Sequence, residues 1–358
     1  MKQKKVLFII SSLTGGGAER VTINLSGELS KRYDVTIATL YSQTDAYAHD
    51  EKVKVIRYYD FIAKLSPPVR KIIKGIAPRL MWVNSIKRSL MPDVTISMLR
   101  VPNLVNALTR KGDYRIVSER ADPSVIGRSY YMYARLASSL ADHTVFQSRR
   151  VQNMFPSRIR EKSSVILNPV NVDVRATGRK SGRIVTAGRL TDQKNHAMLL
   201  RAFASFAAEH PGYFLEIYGK GPLRDALEKQ TAQLGLSEKV RIIDFCKDFH
   251  EQIRDAEMFV LSSDFEGLSN ALLEAMMMGI PCISTDCAGS DEIIEDMKNG
   301  LLVPVGDEAA LCRAMDKLAG DDDLRESIAE EGMRRSERFR TETVVKQWIE
   351  LIEKHTSQ

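Results

Sequence analysis

The chain has 358 residues, which at about 150 residues per domain allows two domains, each with its own core. Hydrophobic residues make up 44% and charged residues 27%, which excludes a disordered or low-complexity chain. The net charge of +6 is uneven: residues 1–168 hold 28 Lys and Arg against 13 Asp and Glu, a net +15, and the remainder 24 against 33, a net −9. Halves of opposite sign point to different partners for each, and no nucleic-acid partner is expected. No apolar run approaches the ~18–20 residues of a spanning helix. The four cysteines, Cys246, Cys282, Cys287 and Cys312, form no CxxC pair, so neither a disulfide framework nor a metal site is expected. Reduced thiols favour the cytoplasm.

Lys2, Lys4 and Lys5 precede the apolar run 6–10. That run is shorter than the ~7–15 residues of a signal-peptide core, so it reads as a buried first strand. It leads to Gly15-Gly16-Gly17-Ala18-Glu19-Arg20 and then a helix. Glycine lets a backbone approach a ligand closely, and a helix start favours anions, which makes Gly16 and Gly17 candidate ligand contacts. A tight turn without a ligand is the alternative. A dinucleotide fingerprint fails here, because Arg20 stands at its third glycine and Thr39-Leu40-Tyr41 where an acid should follow the second strand.

Further strand-like runs follow at 35–39, 94–97, 115–118, 144–147 and 164–167, then at 183–186, 214–218, 240–243, 258–261, 282–284 and 301–303. They lack polar alternation, as strands covered on both faces do, and helical patterns such as 195–209 and 309–318 separate them. The expectation is two doubly wound parallel sheets with a boundary between Asn168-Pro169 and Gly182. Residues 61–92 contain Lys64, Arg70, Lys71, Lys74, Arg79, Lys87 and Arg88, no acid, and an apolar set including Trp82. That composition suits an anionic membrane surface, or equally a helix pair packed on the sheet. The last helix, 341–354, has Val344, Val345, Trp348, Ile349 and Ile352 on one face and needs an apolar surface to lie on.

Three segments of the second half carry the chemistry. The strand 183–187 runs into Gly188-Arg189-Leu190-Thr191-Asp192-Gln193-Lys194-Asn195. Arg189 and Lys194 could clamp a diphosphate at the crevice where doubly wound sheets bind ligands. The next strand ends in Tyr218-Gly219-Lys220-Gly221-Pro222, an open glycine turn at the same edge. The strand 258–261 leads to Glu266-Gly267-Leu268-Ser269-Asn270 and a helix carrying Glu274. The amides of Leu268, Ser269 and Asn270 would open that helix with a partial positive charge suited to phosphate. Glu274, about a turn in, could accept from vicinal hydroxyls. The bland alternatives are a solvated loop acid and a helix-surface acid.

The ordered set GGGAER (15–20), SERADP (118–123), GRLTDQKN (188–195), YGKGP (218–222), FCKD (245–248) and EGLSNALLEAM (266–276) resembles glycosyltransferase family 4. The resemblance implies an α/β chain of the GT-B fold, two Rossmann-like doubly wound domains with an interdomain cleft. It divides them as 1–170, joined by a returning helix 340–358, and 171–339. It implies a retaining transferase moving a hexose or N-acetylhexosamine from a nucleotide-sugar donor, in particular a UDP-sugar, to a glycan or lipid-linked acceptor. It implies no metal or other cofactor, and a cytoplasmic protein, peripheral on the inner face of the plasma membrane. Arg189 and Lys194 match the diphosphate pair, Glu274 the ribose acid, and Glu266 with Gly267–Asn270 the donor-sugar and phosphate contacts. Cys246 and Lys247 match the base-binding turn, Gly219 and Gly221 the adjoining substrate edge, and Gly16 and Gly17 the loop over the donor. Many relatives have a histidine where SERADP stands here, and Arg120 is the candidate to serve a phosphate instead. A front-face reaction follows, since no second carboxyl flanks the anomeric carbon at the ~5 Å of a double displacement. An NAD-type oxidoreductase and a nucleotide-sugar epimerase are the rival readings.

Overall fold

In the computed structural model, which describes residues 3–14, 16–41, 49–63, 75–244, 246 and 248–356, the short apolar runs form strands paired wholly in parallel. The chain divides into one unit of Met1–Pro169 with Thr341–Gln358 and a second of Val170–Arg340. The first holds β1 (Lys5–Ile10), β2 (Asp34–Thr39), β3 (Lys54–Arg57), β4 (Val94–Met98), β5 (Tyr114–Glu119), β6 (His143–Phe146) and β7 (Ser163–Val165). The second holds β8 (Arg183–Ala187), β9 (Phe214–Tyr218), β10 (Val240–Ile243), β11 (Met258–Leu261), β12 (Cys282–Thr285) and β13 (Leu301–Val303). The longer helices are α1 (Gly17–Ser30), α2 (Ile76–Leu90), α3 (Arg100–Leu108), α4 (Arg128–Leu140), α5 (His196–Glu209), α6 (Arg224–Gln233), α7 (Asn270–Met278), α8 (Glu308–Gly320), α9 (Asp322–Ser336) and α10 (Thr341–Thr356).

Strand order is β3-β2-β1-β4-β5-β6-β7 in the first sheet and β10-β9-β8-β11-β12-β13 in the second. Each order reverses once, at β1/β4 and at β8/β11. There the connections leave in opposite directions and open a crevice at the carboxyl ends of the strands. The strands at each reversal are buried along almost their whole length, which is why their inner positions carry apolar residues or small Thr and Ser. β3 escaped the sequence reading because its four residues, Lys-Val-Ile-Arg, offer only two apolar positions between cations. α5 begins at His196 because Asn195, at φ 44°, is its cap and accepts from Met198 N at 3.2 Å. α10 belongs to the first unit, where Val344, Trp348 and Ile352 share a core with Val6, Phe8 and Ile37.

Of the segment 61–92, residues 61–63 and 75–92 are described, and there Trp82 and Lys87 face the interior rather than a cationic surface. Lys64, Arg70, Lys71 and Lys74 lie outside the described residues, as does Lys247. Trp82 is buried, edge-on to Tyr58 at 5.4 Å, beneath the sheet face of Leu7 and Ile9. Lys87 is wholly buried: its Nζ donates to Asp113 Oδ2 at 2.7 Å, Asn106 Oδ1 at 2.9 Å and the Thr109 carbonyl at 2.6 Å. Burial draws this ammonium down to about 8, against the pull of Asp113. Arg79 lies over the Tyr41 ring at 4.1 Å and donates to the Leu40 carbonyl. Of the cations described in this segment, Arg88 alone is fully exposed. The sheet claimed the apolar stripe, and the cations on the same helix had to be paired or turned away.

Candidate active site

The second unit builds its site from the loops after β8 and β11, which become neighbours at the reversal of strand order. The first loop closes with a 3-10 turn, Asp192–Lys194. Four contacts knit it to the second. Asp264 N donates to the Gln193 carbonyl at 2.9 Å, and Gln193 Nε2 to the Phe265 carbonyl at 2.9 Å. Asn195 Nδ2 donates to Asp264 Oδ1 at 2.7 Å, and Ser262 Oγ to the Lys194 carbonyl at 2.9 Å. Across this seam Lys194 Nζ meets Glu266 Oε1 at 2.5 Å, and Ser263 Oγ donates to the same oxygen at 2.7 Å. The two charged side chains are 12% and 8% exposed. Glu266 is therefore no solvated loop acid. Arg189 is exposed on the same loop, with Nη2 3.4 Å from Gln193 Oε1.

Gly219 and Gly221 have a packing reason. A Cβ on Gly219 would stand 1.9 Å from the Gly188 carbonyl oxygen, and one on Gly221 would stand 2.3 Å from that of Leu190. The two loops exchange backbone bonds, Gly188 N to the Tyr218 carbonyl and Leu190 N to the Lys220 carbonyl, each at 2.9 Å. The glycines thus let the loop bearing Arg189 lie flat on its neighbour. Beyond β11, Gly267 and Leu268 lead to Ser269, whose hydroxyl accepts from Leu272 N at 3.4 Å, and Asn270 opens α7. Glu274 on α7 is buried, with Oε2 3.0 Å from His250 Nε2, so it is no helix-surface acid either. Cys246, half-buried, precedes the short helix that carries His250.

Gly16, Gly17 and Arg120 belong to the first unit. Gly16 precedes α1 in an extended conformation, φ −129°, and Gly17 is the helix's first residue. Arg120 follows β5, with Nη1 donating to Ser118 Oγ at 3.2 Å and Nη2 to Asn168 Oδ1. Beside it Glu119 is buried and accepts from Tyr130 Oη at 2.5 Å. Burial pushes the Glu119 carboxyl up to about 7, although Tyr130 and the backbone amides of Arg120 and Ala121 pull the other way.

Two family models account for most of the chain. "Glycosyltransferase Family 4" matches residues 15–174, and "Glycosyl transferases group 1" matches residues 173–335. The chain belongs to the family 4-type glycosyltransferases. Among the relatives of this glycosyltransferase is the GalNAc-alpha-(1->4)-GalNAc-alpha-(1->3)-diNAcBac-PP-undecaprenol alpha-1,4-N-acetyl-D-galactosaminyltransferase of Campylobacter jejuni, 25% identical over 97% of this chain and 98% of that one. The amylovoran biosynthesis glycosyltransferase AmsD of Erwinia amylovora is 25% identical over 97% and 99%. HepE of Anabaena, solved in complex with UDP, superposes with a TM-score of 0.80 at 19% identity, covering 98% of this chain and 100% of that one. The fold is accordingly GT-B, and the oxidoreductase and epimerase readings fall away.

Within this glycosyltransferase the structure adds partners that sequence reasoning missed. Ser263 shares Glu266 with Lys194, His250 faces Glu274, and buried Glu119, beside Arg120, accepts from half-buried Tyr130. No spacing links His250 to Glu274 or Ser263 to Lys194. Their neighbourhood follows from strand order alone. Glu119 could have been noticed as an acid ending an otherwise buried strand.

Proposed function

We propose that this glycosyltransferase is a retaining enzyme that moves a hexose or N-acetylhexosamine from a UDP-sugar to a glycan or lipid-linked acceptor in cell-surface glycan synthesis. The observation that carries the reading is the Lys194–Glu266 pair at the β8/β11 reversal, a cation and a carboxylate within reach of one ligand and each oriented by its own loop. Arg189 and Lys194 meet the donor diphosphate, supported by the amides that open α7. Glu266 and the backbone of Gly267–Asn270 meet the sugar and its adjoining phosphate. Glu274, held by His250, accepts from the ribose hydroxyls. Cys246 and Lys247 flank the base, while Gly219 and Gly221 seat the loop that carries Arg189. In the first unit Gly16 and Gly17 are the ligand-contacting glycines of its first loop, and Arg120 meets an acceptor phosphate. The UDP named with HepE and the PP-undecaprenol named with the Campylobacter relative favour these choices of donor and acceptor.

The anomeric C–O bond to the diphosphate breaks while the acceptor oxygen approaches the same face. The departing phosphate oxygen takes the acceptor's proton, and configuration is kept. Catalysis rests on positioning and on the cations that meet the growing charge of the diphosphate. With that charge met by Arg189 and Lys194, turnover needs no metal, and a chelator leaves it intact. A panel of nucleotide sugars tests the reading by thermal stabilisation and by product anomer. UDP-sugars should stabilise more than GDP- or ADP-sugars, with an α-linked product from an α-linked donor. An inverted product would overturn the mechanism, and stabilisation by another base would overturn the donor.

A further inference from the structure

α4 (Arg128–Leu140) is built the wrong way round for a helix that serves a core. It packs inward through Ala134, Ala137 and Ser138 and turns its large apolar residues to solvent. Met132 is 53% exposed, Leu136 47%, Leu140 40% and Tyr133 41%. Residues 132, 136 and 140 are four apart and form one strip, with Tyr133 beside it. Folding by burial alone would select the opposite arrangement, so the strip has another use. Leu108, 49% exposed at the end of the neighbouring α3, and Ile126, 43% exposed just before α4, enlarge the apolar surface.

Charge decides what the strip meets. Arg128 and Arg135 are exposed along one edge, and Arg100 lies on the other with its guanidinium 4.2 Å over the Tyr133 ring. Arg110 and Lys111 are exposed beyond the end of α3. The acids between residues 100 and 141 are Asp113, Glu119 and Asp122, and all three are buried. An apolar strip bordered on both sides by cations, in a stretch (residues 100–141) that carries no exposed acid, matches the interface of an anionic bilayer. A second copy of the same face would bring guanidinium against guanidinium. We infer that α4 is a face by which this protein docks on an anionic lipid surface, with Met132, Leu136 and Leu140 inserted among the acyl chains. The inference does not rest on the donor chemistry, since vesicle binding is measured without turnover.

The experiment is cosedimentation of the full chain with phosphatidylglycerol vesicles and with phosphatidylcholine vesicles at low and high salt. Wild type should bind the first, be released by salt, and bind the second weakly. Arg128→Gln with Arg135→Gln should weaken partitioning roughly 30-fold, at the per-residue contribution of a cation near an anionic leaflet. Met132→Ser with Leu136→Ser should weaken it at least tenfold, and Arg88→Gln should leave it unchanged. Both pairs sit on an exposed face, so their thermal unfolding should match wild type, which separates lost docking from lost folding. Equal binding by wild type and both double variants overturns the inference, as does wild-type indifference to anionic vesicles at low salt. A dimer in sedimentation that Met132→Ser with Leu136→Ser renders monomeric, without vesicle binding, overturns it in favour of a self-association face.

Discussion

Glu266 and a donor phosphate compete for one ammonium, and that competition gives a test with opposite signs. Lys194 Nζ is 2.5 Å from Glu266 Oε1, and Ser263 Oγ donates to the same oxygen at 2.7 Å. Both side chains are about nine-tenths shielded, so the pair does not belong to the exposed class that contributes ~0–1 kcal/mol. A hydrogen bond to a charged group contributes about 1.5–3 kcal/mol, a factor of roughly 10 to 150. Glu266→Gln keeps the shape and still accepts from Ser263, but it no longer holds the ammonium by charge. Free UDP should then bind at least as tightly as to wild type, with any gain bounded by that factor, while turnover falls because the sugar loses its carboxylate. Lys194→Met removes the cation itself, so UDP should bind roughly 10- to 150-fold more weakly. Calorimetry with UDP on both variants, with initial rates on a UDP-sugar, reads both signs. A double-mutant cycle in denaturant should give a coupling of about 2 kcal/mol for the pair. If Glu266→Gln and Lys194→Met weaken UDP equally, the two groups are separate ligand contacts and the competition does not exist.

Three further outcomes follow from the same geometry. Glu274→Gln should weaken UDP and UDP-sugar alike by roughly 10- to 150-fold, and His250→Ala should reproduce a smaller part of that loss, because His250 Nε2 orients the carboxylate at 3.0 Å; unchanged UDP affinity in Glu274→Gln removes it from the ribose site. Glu119 is raised from 4.5 to about 7, so the native state holds its proton more tightly than the unfolded chain; its contribution to stability is complete below about pH 4.5 and is lost as pH rises through about 7. Glu119→Gln should therefore gain on wild type by at most about 3 kcal/mol between pH 4 and pH 8 in denaturant titrations, at ~1.4 kcal/mol per pH unit, and an equal difference at both pH values would refute the assignment. Lys87→Met should destabilise by about 3–5 kcal/mol, since Asp113 is left buried without its cation, yet leave vesicle binding as in wild type; lost vesicle binding in a folded variant would return Lys87 to the membrane face.

Twelve of the thirteen described strands were legible as short, mainly apolar runs between helical patterns, most clearly where a central parallel strand is covered on both faces. β3, Lys-Val-Ile-Arg, has only two apolar residues between cations and left no such run. The glycine turns and the Glu266-to-Glu274 motif were equally visible, since local geometry restricts which residues can stand there. What the Glu266 carboxylate does in the folded chain was not legible. Lys194 is 72 positions away in sequence, and the pair forms only because β8 and β11 lie side by side. The basic segment shows the same division from the other side. Composition counted the cations of residues 61–92 but could not say which way they faced, and Asp113, 26 positions beyond Lys87, drew that lysine into the interior. For α4 only packing showed that small residues point inward and large ones outward. Sequence determines periodicity and local turn chemistry, because these depend on neighbours along the chain. Tertiary structure decides which charges meet and which apolar faces stay bare, because those depend on neighbours across the sheet.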